Sequence, residues 1–106
     1  MGKEENLIQN AIMDYLSIRN VFHWRNNTTP IYDPTRHCFR KMNSKKGVPD
    51  IICIIKGRFV GIEVKTDKGK QNPDQKKFEI DCLNNGGVYC LARSIDDVQE
   101  MLKEVM

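Results

Sequence analysis

No run of apolar residues in this chain approaches the roughly 20 needed to cross a bilayer, so no membrane-spanning helix is expected. Met1-Gly2-Lys3-Glu4-Glu5 is acidic and has no apolar core, which argues against a secretory signal, and Asn6 stands where a myristoylation motif needs Ser or Thr. A cytoplasmic location is the expectation. Cysteine is scarce and scattered: Cys38, Cys53, Cys82 and Cys90 form no C-x-x-C pair, so free thiols are expected rather than a disulfide framework. Cys53 and Cys90 fall inside apolar runs and should be buried. His23, His37 and Cys38 match no common zinc spacing. Neither charge sign dominates: 17 Lys and Arg stand against 14 Asp and Glu, and a net charge of +3 does not by itself indicate a nucleic-acid partner. Repeats, low-complexity tracts and internal linkers are all missing, and 106 residues suit one domain, 1–106. With 40% hydrophobic and 29% charged residues, a folded core is expected rather than disorder.

What is present reads in order as helix, strand, long loop, hairpin, helix, strand, helix. Residues 5–18 put Ile8, Ile12 and Leu16 on one helical stripe, with Leu7, Ala11 and Tyr15 beside it. Val21-Phe22-His23-Trp24-Arg25 is a short strand. Residues 27–47 hold two prolines and no clear period, and a loop of about 20 residues is unusual in so small a domain. Asn72-Pro73-Asp74-Gln75 is a helix start with Asn at the N-cap, Pro at N1 and Gln at N3. That helix should turn Phe78, Cys82 and Leu83 inward and stop at Asn84-Asn85-Gly86-Gly87. Val88-Tyr89-Cys90-Leu91-Ala92 reads as a central strand. Ser94 caps a last helix whose inner face carries Ile95, Val98, Met101, Leu102 and Val105.

The chemistry concentrates in Val48-Pro49-Asp50 and Gly61-Ile62-Glu63-Val64-Lys65. Ile51–Ile55 and Phe59-Val60 are β-branched and aromatic, as strands prefer, and Lys56-Gly57 between them reads as a turn. If Ile55 pairs with Arg58, Asp50 lies directly opposite Glu63, with Cβ atoms about 4.5–5.5 Å apart. A shift of one residue would send the two acids to opposite faces. Lys65 projects from the same face as Glu63. Two acids this close repel unless a cation or a proton joins them. Hard oxygen ligands favour Mg²⁺ or Mn²⁺, and the lysine can orient a water or a phosphate oxygen.

This constellation resembles the active site of the PD-(D/E)XK nuclease superfamily. With Glu5-Asn6-Leu7-Ile8-Gln9 opening a helix, Arg25-Asn26-Asn27 after a strand, Gly47-Val48-Pro49-Asp50 and Gln75 at the next helix, it resembles the VRR-NUC branch (virus-type replication-repair nucleases) from about Glu5 to Val98. A bare PD…ExK pattern is weak; five elements in order are much stronger. The resemblance implies an α/β, mixed α+β fold: a restriction-endonuclease-like αβββαβ core with a C-terminal helix. It implies an endodeoxyribonuclease that hydrolyses phosphodiester bonds with Mg²⁺ or Mn²⁺, held by Asp50, Glu63, the Val64 carbonyl and Glu5, with Lys65 and Gln75 completing the catalytic set. Small stand-alone members resemble four-way (Holliday) junction resolvases that act as homodimers. That implies branched DNA and a second copy as partners, for which Met101, Leu102, Val105 and Met106 offer an apolar patch or else complete the core.

Several of these residues have a plainer reading. Glu5 lies within about 20° of Ile12 and Leu16 on a helical wheel, where a carboxylate needs a cation nearby, but it could equally favour the helix dipole. Gln75 is either the N3 residue of a capping box or, as the resemblance implies, faces the site; the two roles could exclude one another. Asn26 is either a site residue or a turn asparagine. Arg36, Arg40, Lys41, Lys45 and Lys46 before the motif, and Lys68, Lys70, Lys76 and Lys77 after it, are either phosphate contacts or solvated loops. The alternatives for the whole are a flap- or nick-directed nuclease of a replication-repair assembly, a non-catalytic nucleic-acid-binding module on the same fold, and a restriction-type enzyme.

Overall fold

A computed structural model describes residues 2–26, 31–40 and 45–106, with the side chains of residues 31, 39 and 40 set aside. In chain order the elements are α1 (Lys3–Ile18), β1 (Phe22–Arg25), β2 (Ile31–Asp33), β3 (Cys38–Arg40), β4 (Ile51–Ile55), β5 (Arg58–Val64), α2 (Pro73–Asn84), β6 (Val88–Ala92) and α3 (Ile95–Val105). α1 buries Ile12 and Leu16 completely and leaves Leu7 exposed. It ends on Asn20, whose φ of 57° reverses the chain so that the Asn20 and Val21 N–H groups donate to the Ser17 and Leu16 carbonyls. α2 ends the same way on Gly86, with the Gly86 and Gly87 N–H groups on the Leu83 and Cys82 carbonyls.

Four strands form a sheet in the order β1-β4-β5-β6. β4 and β5 pair antiparallel with Ile55 opposite Arg58 and Ile51 opposite Ile62, the register expected from the turn. Lys56 and Gly57 both have positive φ, as a two-residue primed turn requires. β1 is antiparallel to β4, and β6 is parallel to β5. Alternate residues divide the sheet into two faces. Ile51, Cys53 and Ile55, Val60, Ile62 and Val64, and Cys90 and Ala92 point one way and are buried with Ile12 and Leu16 of α1 and Val98, Met101 and Leu102 of α3. On the other face Phe59 packs on Phe78 of α2, ring centroids 6.1 Å apart.

Four expectations are corrected. β6 lies at the edge of the described sheet, not its centre; it is apolar because α3 and α2 cover it from both sides. The stretch expected to be loop contains a two-stranded hairpin, β2–β3, around Pro34 to His37, where the Asp33 carboxylate accepts from the Thr35 and Arg36 N–H groups. Leu83 is exposed, because α2 turns Gln75, Phe78 and Cys82 toward the sheet and Leu83 away from it. Ser94 occupies the N-cap of α3 without a side-chain bond; Asp97 closes that end instead by accepting from the Arg93 N–H at 2.8 Å. Cys53 and Cys90 are buried, and burial pushes their thiols up to about 12 and about 11, so both stay protonated.

Candidate active site

Gly61 seats the motif. A Cβ there would lie 2.6 Å from Pro49 Cγ, so only glycine lets the buried Pro49 ring rest on β5. Pro49 in turn fixes Asp50, the residue before β4. The Asp50 carboxylate accepts from the Val64 N–H at 2.9 Å, and its backbone carbonyl accepts from the Asn26 N–H at 2.8 Å. Asp50 thus ties the end of β1 to the end of β5. Gly47 makes a second close approach. At φ +75° its missing side chain leaves room for the Asp74 carbonyl, 2.3 Å from where a Cβ would be, which draws the first turn of α2 against the motif loop.

Glu63 is the buried acid, 2% exposed, and it lies against Asp50 as the β4–β5 register requires. Its carboxyl is held well above the usual carboxylate range. Burial is the largest cause, followed by the charge of Asp50 and a hydrogen bond between the two carboxyls. Lys65, with Nζ 4.0 Å from Glu63 Oε2 and 15% of its side chain exposed, offsets part of that rise. Glu5 is close enough for its charge to raise Glu63 further, as its place on the apolar stripe of α1 suggested. Lys65 is itself anchored, because its N–H continues the β5–β6 ladder to the Ala92 carbonyl at 3.0 Å. Arg93 then braces the following turn by donating to the Thr66 and Gly69 carbonyls.

Gln75 fills both roles that had looked exclusive. Its Oε1 accepts from the Asn72 N–H, its own N–H donates to Asn72 Oδ1, and its Nε2 donates to Glu63 Oε2 at 2.9 Å. One end of the side chain closes the helix and the other holds the acid. Tyr89 and Gln71 were not anticipated. Tyr89 pairs in register with Gly61 and so shares the Glu63 face, and its hydroxyl accepts from Gln71 Nε2 at 3.0 Å. The signal available was its position one residue before the buried Cys90.

The flanking cations are spread. Lys45 and Lys46 lie beside Lys77, Phe78 and two aspartates around a shallow hollow on α2, and Lys68, Lys70 and Lys76 are exposed. Arg36 is exposed on the β2–β3 turn, 3.9 Å from Asp33. The Arg40 side chain and Lys41 fall outside the described residues. Among the described residues no three His, Cys, Asp or Glu side chains converge as a ready metal cluster, so Glu5 stands near the Asp50–Glu63 pair without joining it. The donor set nonetheless fits a hard divalent cation. Two carboxylates lie side by side, and Glu63 Oε1 is buried with no partner.

No protein-family model matches this sequence, and no curated protein does. Solved structures do resemble it. One, described as "VRR_NUC domain", superposes with a TM-score of 0.73 at 15% identity, covering 99% of this chain and 100% of that one. Another, a "VRR_NUC domain protein", gives 0.70 at 22% identity, covering 99% and 89%. This chain has the VRR-NUC fold. The VRR-NUC likeness spans α1 to α3 and so includes every element that carries a site residue. No helix among the described residues is long and apolar enough to cross a membrane.

Proposed function

We propose that this chain is a divalent-metal-dependent endodeoxyribonuclease that hydrolyses phosphodiester bonds in branched DNA, with the four-way junction as substrate and a homodimer as the working form. The observation that carries the nuclease reading is the adjacent Asp50–Glu63 pair, with Glu63 buried and Lys65 Nζ 4.0 Å from its Oε2. Asp50, Glu63, the Val64 carbonyl and Glu5 would hold Mg²⁺ or Mn²⁺. The chemistry such an ion supplies is acidification of the attacking water and neutralisation of charge on the scissile phosphate.

Each residue then has a defined task. Gln75 Nε2 keeps Glu63 Oε2 turned to α2, so that the unpartnered Oε1 would be the oxygen to hold an ion. The Val64 N–H fixes the rotation of Asp50. Lys65 orients the water and stabilises charge on the phosphoryl oxygens as they develop it. The water oxygen bonds to phosphorus, the 3′ oxygen leaves and takes up a proton, and the products are 5′-phosphate and 3′-hydroxyl ends. No protein nucleophile is needed.

Paired incision of a four-way junction needs two sites related by a two-fold axis, which a C₂ dimer supplies. Met101 and Leu102 cannot serve as its contact, since both lie in the core. Phe22, Trp24 and Ile54, exposed together on one face of β1 and β4, support a second copy docking there. The deciding experiment is cleavage of linear, nicked, flap, fork and four-way DNA with Mg²⁺, Mn²⁺ or EDTA, alongside sedimentation. Metal-dependent cutting of four-way DNA by a dimer is expected. Equal cutting of linear DNA by a monomer would remove the resolvase part, and full activity in EDTA would remove the metal.

A further inference from the structure

Gln9 is 1% exposed, and neither its Oε1 nor its Nε2 has a partner. A buried amide left unpaired at both ends destabilises a fold, and a leucine or methionine would fill the same space without that penalty. Its position suggests what the amide is for. Gln9 follows Glu5 by one helical turn on the same side of α1, and Ile12 and Leu16 continue that stripe. The stripe therefore runs from acid to amide to aliphatic as it passes from the site into the core.

Two further orphans adjoin Asp50. The Val21 N–H bond to Leu16 folds β1 back along α1. From Val21 to Asn26 the strand advances about 17 Å at ~3.3 Å per residue. The same length back along α1 from its C-terminal end, at ~1.5 Å per residue, reaches the turn that holds Gln9. Asn26 Nδ2 is buried and unpartnered, while the Asn26 N–H donates to Asp50. Glu63 Oε1 is the remaining orphan. The unpaired set thus has two amide donors, one amide acceptor and one carboxylate oxygen; Asn26 and Glu63 adjoin Asp50, and Gln9 stands one helical turn from Glu5.

We propose that Gln9 is a positioning residue of the metal site. In the loaded state its Nε2 donates to the Glu5 carboxylate and its Oε1 accepts from Asn26 Nδ2, so that Glu5 is drawn toward Asp50 and Glu63. Glu63 Oε1 is left for the ion. This rests on the reading of Asp50 and Glu63 as metal ligands. It accounts for a Glu5 that stands near the acid pair without converging on it, and for an amide that the fold alone would do better without.

The test is Mn²⁺ titration by calorimetry on the full chain, with thermal melts in EDTA. Gln9→Met should raise the metal-free Tm by about 5 °C and weaken Mn²⁺ binding by roughly 10-fold. In a Glu5→Gln background the same substitution should no longer change Mn²⁺ affinity. Unchanged affinity in Gln9→Met, or an equal loss with and without Glu5, would overturn the proposal. If wild type shows no Mn²⁺ binding that Asp50→Asn removes, the metal reading of the acid pair fails instead. Should the variant not fold, wild type gives the answer by NMR: the Gln9 side-chain amide protons exchange more slowly once Mg²⁺ is added, and unchanged exchange counts against the proposal.

Discussion

The two faces of the β4–β5 hairpin differ sharply, although they are built from alternate residues of the same strands. Toward α1 and α3 stand Ile51, Cys53, Ile55, Val60, Ile62 and Val64, all buried aliphatic or thiol groups. Toward α2 stand Asp50, Gly61 and Glu63, with Tyr89 beside Gly61 and Gln75 above, two adjacent acids and a buried oxygen without a partner. One face follows the rule that interiors are apolar and close-packed. The other sets two acids together in a nearly dry place, where both can ionise only if a cation joins them. Stability is concentrated on the first face, and the second draws on it to hold chemistry that destabilises the fold.

The sharpest way to break this comparison is to remove charge from the second face. Asp50→Asn can still accept from the Val64 N–H, and Glu63→Gln can still accept from Gln75, so both variants should fold and bind DNA. Cleavage should fall by roughly a thousandfold or more, since several kcal/mol of charge stabilisation are lost. Single-turnover cleavage beside a DNA-binding isotherm decides it, and either variant retaining full rate would defeat the assignment. Lys65→Ala comes next. Its single-turnover rate should drop by about 10²–10³ while the Kd for DNA moves only a few-fold. Matching losses in rate and affinity would make Lys65 a phosphate anchor.

The third prediction sets one face against the other within two adjacent residues. Gly61→Ala pushes a methyl group into Pro49, so the motif loop must shift, at a cost of about 1–3 kcal/mol, and Asp50 moves with it. Ile62→Val leaves a small gap on the closed face, costing roughly 0.5–1.5 kcal/mol. Both should lower Tm by comparable amounts, but only Gly61→Ala should slow cleavage. If the two variants lose activity in proportion to stability, the faces are not separable in the way the structure suggests.

The same comparison explains what was legible in the sequence. The hairpin and its register were, because a two-residue turn at Lys56-Gly57 and period-two alternation leave one solution that buries Ile51 and Ile62. The adjacency of Asp50, Glu63 and Lys65 followed from it. The β2–β3 hairpin was hidden because its strands are only three residues long and sit in a polar stretch, although Asp33-Pro34 was a turn signal. β6 was misplaced because an apolar run reports burial on both faces, and a helix on each side gives that at an edge as well as at a centre. The two roles of Gln75 looked incompatible because the sequence does not say that its two amide ends point opposite ways. Gln9 was available, since it lies about 40° from Glu5 on the helical wheel that marked Glu5 itself.

The smallest expected effect concerns the acid pair without metal. Burial and the neighbouring carboxylate hold the Glu63 carboxyl well above its value in the unfolded chain. Below the unfolded value both states carry the proton and the folded state keeps its full stability. As pH rises past that point the unfolded chain ionises first, so it binds fewer protons than the folded one and stability falls. The fall ends only when folded Glu63 loses its own proton. Melts in EDTA should therefore show Tm declining by a few degrees from pH 5 toward pH 9. Glu63→Gln resembles the protonated acid and should remove that decline, melting above wild type at the alkaline end and near it at the acidic end. Ile62→Val, on the closed face, should keep the wild-type slope at a lower Tm. A slope shared by all three proteins would show that Glu63 is not the group being titrated.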